Sequence, residues 1–384
     1  MKTNYSIAFV TETYPPEING VAKTVSQVVT DLHRRGHSLK LFRPHQGTLD
    51  HPDPAKNFEH ITLPGFRIPF YRDLRFGLPS TQFLVKAWAQ NPPDLVHVVT
   101  EGPLGWSAVR AARKLSLPVI SDFRTNYHLY SRYYRLGILS GFAERYLRYL
   151  HNNTHCTLVP TREIQESLTK KGYKNVSVVG RGIDANFYSP TKRDPSLRAS
   201  WGLGDEDMGV LFVGRLAPEK NIQLTVEAFL RMKAQNPRLR LVLVGDGPSR
   251  NSLESTCSDV IFAGMQSGEA LARHYASADM FLFPSITETF GNVILEAMAS
   301  GLAIVSFNYA AALEYLVDFE SGLLAPYNNR KEFIERAVFL AGSKEMVEKL
   351  KRRSQSIAKL CTWESVLSRL EDVYLSIIKP QGVS

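Results

Sequence analysis

The sequence predicts an α/β protein built as two doubly wound parallel-sheet domains in tandem. Three observations carry this. Short apolar runs alternate with helical periodicities, the pattern restarts after a polar interval near residue 200, and 384 residues suffice for two domains of ordinary size. Strands apolar on both faces, each followed by a helix, belong to a parallel sheet covered on both sides.

The first domain is placed at 1–190. Residues 6–11 (SIAFVT) form an apolar strand, followed by a Pro-rich loop, 12–20, that ends in Asn-Gly. Residues 21–35 have helical periodicity through Val21, Val25, Val28, Val29 and Leu32, and Gly36 supplies the C-terminal stop. Residues 38–42, 95–100 and 119–121 read as further strands, with a helix around 107–115. The interval 190–208 is polar and carries Pro190, Pro195, Gly202 and Gly204, so it reads as a linker. The second domain, 191–362, has strands at 210–213, 240–244, 260–262, 280–283 and 303–306. Its helices lie at 222–235, 268–276, 293–299 and 331–341. A last helix, 363–378, within a terminal segment 363–384, is free to pack on either domain, including by crossing back to the first. Ligands of open α/β sheets bind at the carboxyl ends of the strands, so the cleft between two such domains is the expected site.

Composition excludes several classes. No apolar stretch approaches the 18 or so residues of a spanning helix, and 1–16 shows no signal-peptide pattern. Cys156, Cys257 and Cys361 form no CxxC pair and no metal-ligand spacing, which fits reduced thiols in a cytosolic protein. Net charge is +9, unevenly spread: residues 1–190 hold 24 basic and 14 acidic side chains, residues 191–384 hold 22 and 23. The basicity therefore belongs to the first half, where it suits an anionic small molecule or surface.

Four stretches carry chemistry. In 283–301, FPSITETFGNVILEAMASG, a strand ends at Phe283, a loop carries Glu288, Phe290 and Gly291, and a helix starting near Asn292 carries Glu296. Loop amides and a helix N-terminus bind phosphate or sugar oxygens, and carboxylates accept from sugar hydroxyls. The apolar neighbours of Glu296 place it in a buried helix, where a carboxylate without a partner is costly. In 213–221, VGRLAPEKN, Arg215 and Lys220 share a strand-to-helix loop and suit a diphosphate: a fork from Arg, a point charge from Lys. In 243–248, LVGDGP, Gly245 opens a tight turn that lets a ligand come close. In 12–21, ETYPPEINGV, Gly20 opens the first helix with an N–H available to an anion. No G-x-G-x-x-G follows the first strand and no P-loop is present, so the dehydrogenase and P-loop classes drop out.

Together these residues resemble the retaining GT-B glycosyltransferases of family four, over nearly the whole chain. FVTETYPPEINGVAKTV is similar to the family's N-terminal loop and first helix, GRLAPEKN to its diphosphate loop, and LVGDGP with FPSITETFGNVILEAMASG to the rest of its C-domain set. The resemblance implies the GT-B architecture: two Rossmann-like domains facing a central cleft. It implies that Arg215 and Lys220 grip the donor diphosphate and that Glu288 binds donor-sugar hydroxyls, with Phe290, Gly291 and Asn292 giving contacts nearby. Glu296 takes the ribose hydroxyls, Gly245 and Gly20 approach the donor, and Met265 stands where the base is held. The family's histidine, in a Phe-His-Thr pattern, has no counterpart here: the chain reads Asp122-Phe123-Arg124-Thr125-Asn126-Tyr127-His128. Either Arg124 contacts sugar or phosphate, or His128 takes the role.

A retaining glycosidase needs two carboxyl groups across the sugar. Here Glu288 and Glu296 are assigned to the donor, so the mechanism inferred is front-face transfer, with Arg215, Lys220 and the helix N-terminus stabilising the leaving diphosphate. No metal or other cofactor is required. The Asp-x-Asp at 205–207 lies in the polar interval and reads as a solvated turn.

Within the family the chain looks most like bacterial GDP-mannose-dependent α-mannosyltransferases acting on lipid acceptors, on ETYPPEINGV, GRGIDANFYSP and TNYHLYSRYY. Segment 123–149 interleaves Arg124, Arg132, Arg135, Arg145 and Arg148 with Tyr127, Tyr130, Tyr133, Tyr134, Phe142, Tyr146 and Tyr149, and 67–76 (RIPFYRDLRF) repeats the mixture. That combination suits an anionic membrane surface; a core hairpin with solvated arginines is the alternative, and no nucleic-acid motif is present. The expectation is a hexosyltransferase on the cytoplasmic face of the membrane, moving mannose from GDP-mannose to a lipid-linked or glycolipid acceptor. The alternatives are transfer from a UDP-sugar such as UDP-glucose to a soluble sugar, and a nucleotide-sugar binding or epimerising protein on the same fold.

Overall fold

The computed structural model describes residues 4–17, 20–46, 50, 58–68, 71–124 and 137–379; for 67, 68, 71–74 and 137–140 it describes the backbone alone. The chain divides into two compact units, Met1–Gly180 with Val366–Ser384, and Arg181–Ser365.

The first unit carries strands β1 (Ser6–Val10), β2 (Ser38–Pro44), β3 (Glu59–Leu63), β4 (Gly65–Ile68), β5 (Tyr71–Gly77), β6 (Leu95–Val98), β7 (Val119–Asp122), β8 (Cys156–Val159) and β9 (Val176–Val178). Among the described residues its main sheet runs β3-β2-β1-β6-β7-β8-β9, while β4 and β5 form a separate antiparallel hairpin. Every pair of the main sheet is parallel. Strands β6, β7 and β8 are buried at all four positions, as a sheet covered on both faces requires. The first helix, Gly20–Arg34, buries Ala22, Thr24, Val25, Val28, Val29 and Leu32 on one side and ends before Gly36 at φ +94°.

The second unit carries β10 (Gly209–Val213), β11 (Arg240–Val244), β12 (Val260–Gly264), β13 (Met280–Phe283), β14 (Ala303–Phe307) and β15 (Leu323–Ala325). Its sheet, parallel throughout, runs β12-β11-β10-β13-β14-β15. Strands β10 and β14 are buried at all five positions. Each sheet reverses its winding once, between β1 and β6 in the first unit and between β10 and β13 in the second. At such a switch point the loops leaving the two strands run to opposite sides, opening a crevice at the carboxyl ends.

One sequence expectation needs correction. The stretch 190–208, read as a linker, is built into the second unit, and the unit boundary falls at Gly180 rather than at 190. Residues 190–192 form a short turn capped by Ser189, and Pro195–Ser200 is a helix capped by Asp194. Arg198 is the anchor. It is buried, and its guanidinium donates to Asp279 Oδ2 (3.0 Å) and to the carbonyls of Ser277 (2.8 Å), Gly204 (2.9 Å) and Asp207 (2.7 Å). A polar composition here marked a charge-stapled segment, not a free one. The last helix, Trp363–Ile378, joins the first unit from Val366 onward and buries Leu367, Leu370 and Tyr374. Glu371 on it accepts from His37 Nε2 (3.0 Å) and pairs with Arg35.

Candidate active site

The switch point of the second unit assembles the predicted cation loop and carboxylate. The loop leaving β10 turns through Pro218–Lys220, and Asn221 in the left-handed region (φ 54°) hands the chain to the helix Ile222–Gln235. The loop leaving β13 carries Glu288. Lys220 Nζ donates to Glu288 Oε1, which also accepts from Ser285 Oγ (2.6 Å). Tyr309 holds the same loop by donating to the Glu288 carbonyl (2.6 Å). Lys220 and Glu288 retain 17% and 14% of their side-chain exposure, so the pair is partly sheltered yet open to a ligand. Arg215 is freer: it is 49% exposed, and its Nη1 lies 3.7 Å from Glu219.

Behind Glu288, Gly291 caps the helix Asn292–Ala299 at φ +89°. Its carbonyl accepts from Ile294 N (3.0 Å), and Asn292 opens the first turn. Phe290 is buried, and its carbonyl accepts from Ala311 N (2.9 Å). Glu296 is buried on this helix, as its apolar neighbours suggest, but it has a protein partner: Tyr275 OH donates to its Oε2 at 2.9 Å. The cost of burying a carboxylate is thus met at least in part within the protein. Burial, with the neighbouring carboxylate second, holds the Tyr275 hydroxyl well above the usual phenol range, so it stays a donor.

Gly245 sits in the tight turn after β11. It adopts φ +138°, its N–H is used by the Gly264 carbonyl, and a Cβ there would stand 2.0 Å from the Gly214 carbonyl oxygen. The glycine lets the turn after β11 press against the cation loop, a neighbour the sequence alone does not show. Met265 follows β12 and is 65% exposed. The Asp-x-Asp precedes β10, at the amino end of the sheet, away from the switch point; Asp207 Oδ2 accepts from Gly204 N (2.9 Å) in a local turn. A cavity of about 260 Å³ opens there, lined among others by Arg193, Asp205, Asp279 and Lys344, at the wrong end of the strands for switch-point chemistry. Among the described residues no cluster of His, Cys, Asp and Glu is placed to hold a metal.

In the first unit, Gly20 opens its helix beyond β1, at that sheet's own switch point. Arg124 stands two residues past β7, buried, with Asp122 as partner. His128 lies outside the described residues. Sequence reasoning missed Glu12. Its Oε1 accepts from Leu104 N (2.8 Å) at the start of the helix Pro103–Lys114, and a Cβ on Gly102 would sit 1.7 Å from Glu12 Oε2. Burial pushes its carboxyl up to about 7, against backbone hydrogen bonds that lower it. The signal, an acid just after the first strand with a glycine before a later Pro, is too diffuse to read without the contact.

The aromatic–basic segment is partly described. The helix Gly137–Asn152 exposes Phe142 (72%), Tyr146 (39%) and Tyr149 (59%) at i, i+4 and i+7, with Arg145 and Arg148 also exposed. Tyr146 and Tyr149 lean on Trp106, and Tyr146 OH donates to the Glu101 carbonyl (2.7 Å). The side chains of Arg67, Phe70, Tyr71 and Arg72 lie outside the described residues. No helix among the described residues is long and apolar enough to cross a membrane.

Two doubly wound parallel-sheet units, one with a cation loop facing a carboxylate loop at its switch point, define the GT-B class of glycosyltransferase. Residues 18–187 match the family described as Glycosyltransferase Family 4, and residues 207–343 match Glycosyl transferases group 1. The chain is 32% identical over 330 residues to a GDP-mannose-dependent alpha-mannosyltransferase of Mycolicibacterium smegmatis, covering 83% of this chain and 84% of that one. It is 28% identical over 313 residues to an alpha-monoglucosyldiacylglycerol synthase of Streptococcus pneumoniae, covering 78% and 70%. Among solved structures, sucrose-phosphate synthase of Thermosynechococcus elongatus superposes with a TM-score of 0.77 at 18% identity, covering 96% of this chain and 98% of that one, which shows a shared fold. The chain belongs to glycosyltransferase family 4, and it is a glycosyltransferase; the epimerising alternative gives way.

Proposed function

We propose that this enzyme transfers a mannosyl residue from GDP-mannose to a lipid-linked or glycolipid acceptor, with retention of configuration, at the cytoplasmic face of a membrane. The observation that carries it is the switch point of the second unit, where Lys220 and the open Arg215 leave β10 and Glu288 leaves β13. GDP-mannose is favoured by the mannosyltransferase relative at 32% identity, and a lipid acceptor by the glycolipid-synthesising relative.

Arg215 and Lys220 take the donor diphosphate, whose arrival frees Glu288 from Lys220 to accept from a sugar hydroxyl. Glu296, oriented by Tyr275, accepts from the ribose hydroxyls, and the first turn of Asn292–Ala299 offers backbone N–H groups. The bond from sugar C1 to the β-phosphate oxygen breaks, and its electron pair stays on the departing GDP. The acceptor hydroxyl forms its bond to C1 on the same face and passes its proton to a β-phosphate oxygen. The two cations supply the charge stabilisation that a metal ion provides in other transferases, so no cofactor is needed. The exposed aromatic–arginine face of Gly137–Asn152 and the basic excess of residues 1–190 suit an anionic lipid surface presenting the acceptor.

The test is GDP release and product analysis with GDP-mannose and, separately, UDP-glucose, with membrane lipid extracts or free sugars as acceptors. An α-mannosyl lipid formed from GDP-mannose is expected. Transfer from UDP-glucose alone, or to free sugars alone, contradicts the proposal.

A further inference from the structure

A buried polar chain in the first unit ends on Arg124. Register and pleat place its members together: His97 on β6 pairs with Ile120 on β7, so Asp122, two residues on, shares the face of His97. Tyr374 reaches the same spot from the last helix, 277 residues away in sequence. Its hydroxyl lies 2.7 Å from His97 Nδ1, and His97 Nε2 lies 3.0 Å from Asp122 Oδ1. Asp122 Oδ2 accepts from Arg124 Nε (2.6 Å) and from Arg124 Nη2.

The proton positions follow from satisfying the buried donors. Tyr374 is fully buried, and burial holds its hydroxyl well above the usual phenol range, so it remains an O–H that must donate. Its partner is His97 Nδ1, which therefore accepts, and the imidazole proton sits on Nε2 and donates to Asp122. Asp122 in turn fixes Arg124 through Nε and Nη2. Arg124 Nη1 is left buried with no hydrogen-bond partner among the described residues, although the side chain keeps only 6% exposure. A buried guanidinium N–H pair without a partner is costly, and a chain of three side chains holds it in that state.

We propose that Arg124 Nη1 contacts an anionic or hydroxyl oxygen of the substrate, and that Tyr374, His97 and Asp122 are positioning residues that hold it for that contact. This rests on reading Arg124 as part of the transferase site. The last helix thereby supplies a positioning residue to the first unit.

The relay predicts a coupling that packing alone does not. GDP release from GDP-mannose is measured for the full chain, Tyr374→Phe, Arg124→Ala and the double variant. Tyr374→Phe keeps the ring and removes only the O–H; it is expected to lower kcat about tenfold, together with a loss of Tm because His97 Nδ1 is left without its donor. Arg124→Ala is expected to lose about 100-fold, and adding Tyr374→Phe to it to cost less than about twofold more. His97→Gln, which keeps a donor for Asp122, should retain more activity than His97→Leu. An equal cost of Tyr374→Phe in both backgrounds overturns the relay but leaves Arg124 in the site; a fully active Arg124→Ala removes both. Imidazole ¹⁵N resonances read the relay without turnover: wild-type His97 should be protonated at Nε2 with Nδ1 accepting, and Tyr374→Phe should shift the Nδ1 resonance as it loses its donor while Nε2 stays protonated against Asp122. A proton on Nδ1 in the wild type overturns the relay whatever the donor proves to be.

Discussion

Lys220 and Glu288 neutralise each other across the switch point, so on the proposed reading the donor exchanges a carboxylate partner of Lys220 for a phosphate one. Lys220→Ala should lower kcat/KM for the donor about 100-fold while leaving the fold intact, because the pair is only partly buried. A steady-state assay beside a melting curve checks this; full activity sinks the assignment. Tyr275→Phe takes one donor from buried Glu296 and should cost about 1–3 kcal/mol of stability together with a raised donor KM. Loss of stability with an unchanged KM places Glu296 outside the ribose site. Lys220, Glu288 and Glu296 were legible in the sequence because each lies in a compact strand–loop–helix stretch where residue type suffices. Their partners were not: Tyr275 is 21 residues from Glu296, and Tyr374 is 277 from His97, so only the packed chain brings them together. Gly245 was legible as a special backbone position, but the neighbour that requires it, the Gly214 carbonyl, was not.

The helix Pro103–Lys114 begins at Gly102, which offers no side-chain cap, and borrows its acceptor from Glu12 in the loop after β1. This gives a pH signature. The Glu12 carboxyl rises from 4.5 to about 7 on folding, so between those values the folded chain holds a proton that the unfolded chain has lost. Its contribution to stability is present at low pH and is lost as pH rises through about 7, an amount on the order of 3 kcal/mol. Glu12→Gln should flatten that decline, measured as denaturation midpoints from pH 5 to 8. Parallel pH slopes for wild type and variant contradict the account. Strands and long amphipathic helices were legible as elements because their periodicity is local. The segment 190–208 was misread because its polar residues satisfy Asp279 and distant carbonyls rather than water. Arg198→Ala should cost about 3 kcal/mol by leaving that buried carboxylate under-paired; a change below about 0.5 kcal/mol returns the segment to linker status.

At the scale of the whole molecule, two doubly wound units were readable from a strand–helix alternation that restarts. The exchange of the last helix into the first unit was not, since an amphipathic helix fits either core. The charge asymmetry also belongs to this scale. The half of the chain with the cation loop carries 22 basic and 23 acidic residues, and the excess lies in residues 1–190; on the proposed reading, donor binding then rests on local cations and the excess serves the acceptor side. Vesicles with anionic lipid should float the protein at low salt and release it as salt rises, and Phe142→Ala with Tyr149→Ala should weaken flotation. No flotation at moderate salt removes the membrane from the account. The central claim, a GDP-mannose donor held by the Lys220 loop, is tested most directly by ligand-dependent melting. At about 100 times Kd, a bound donor adds roughly 2.7 kcal/mol, which for a unit of this size corresponds to a Tm rise of roughly 5–10 °C. The account predicts that rise with GDP-mannose in the wild type and little of it in Lys220→Ala. A rise with UDP-glucose alone, or an undiminished rise in Lys220→Ala, contradicts it.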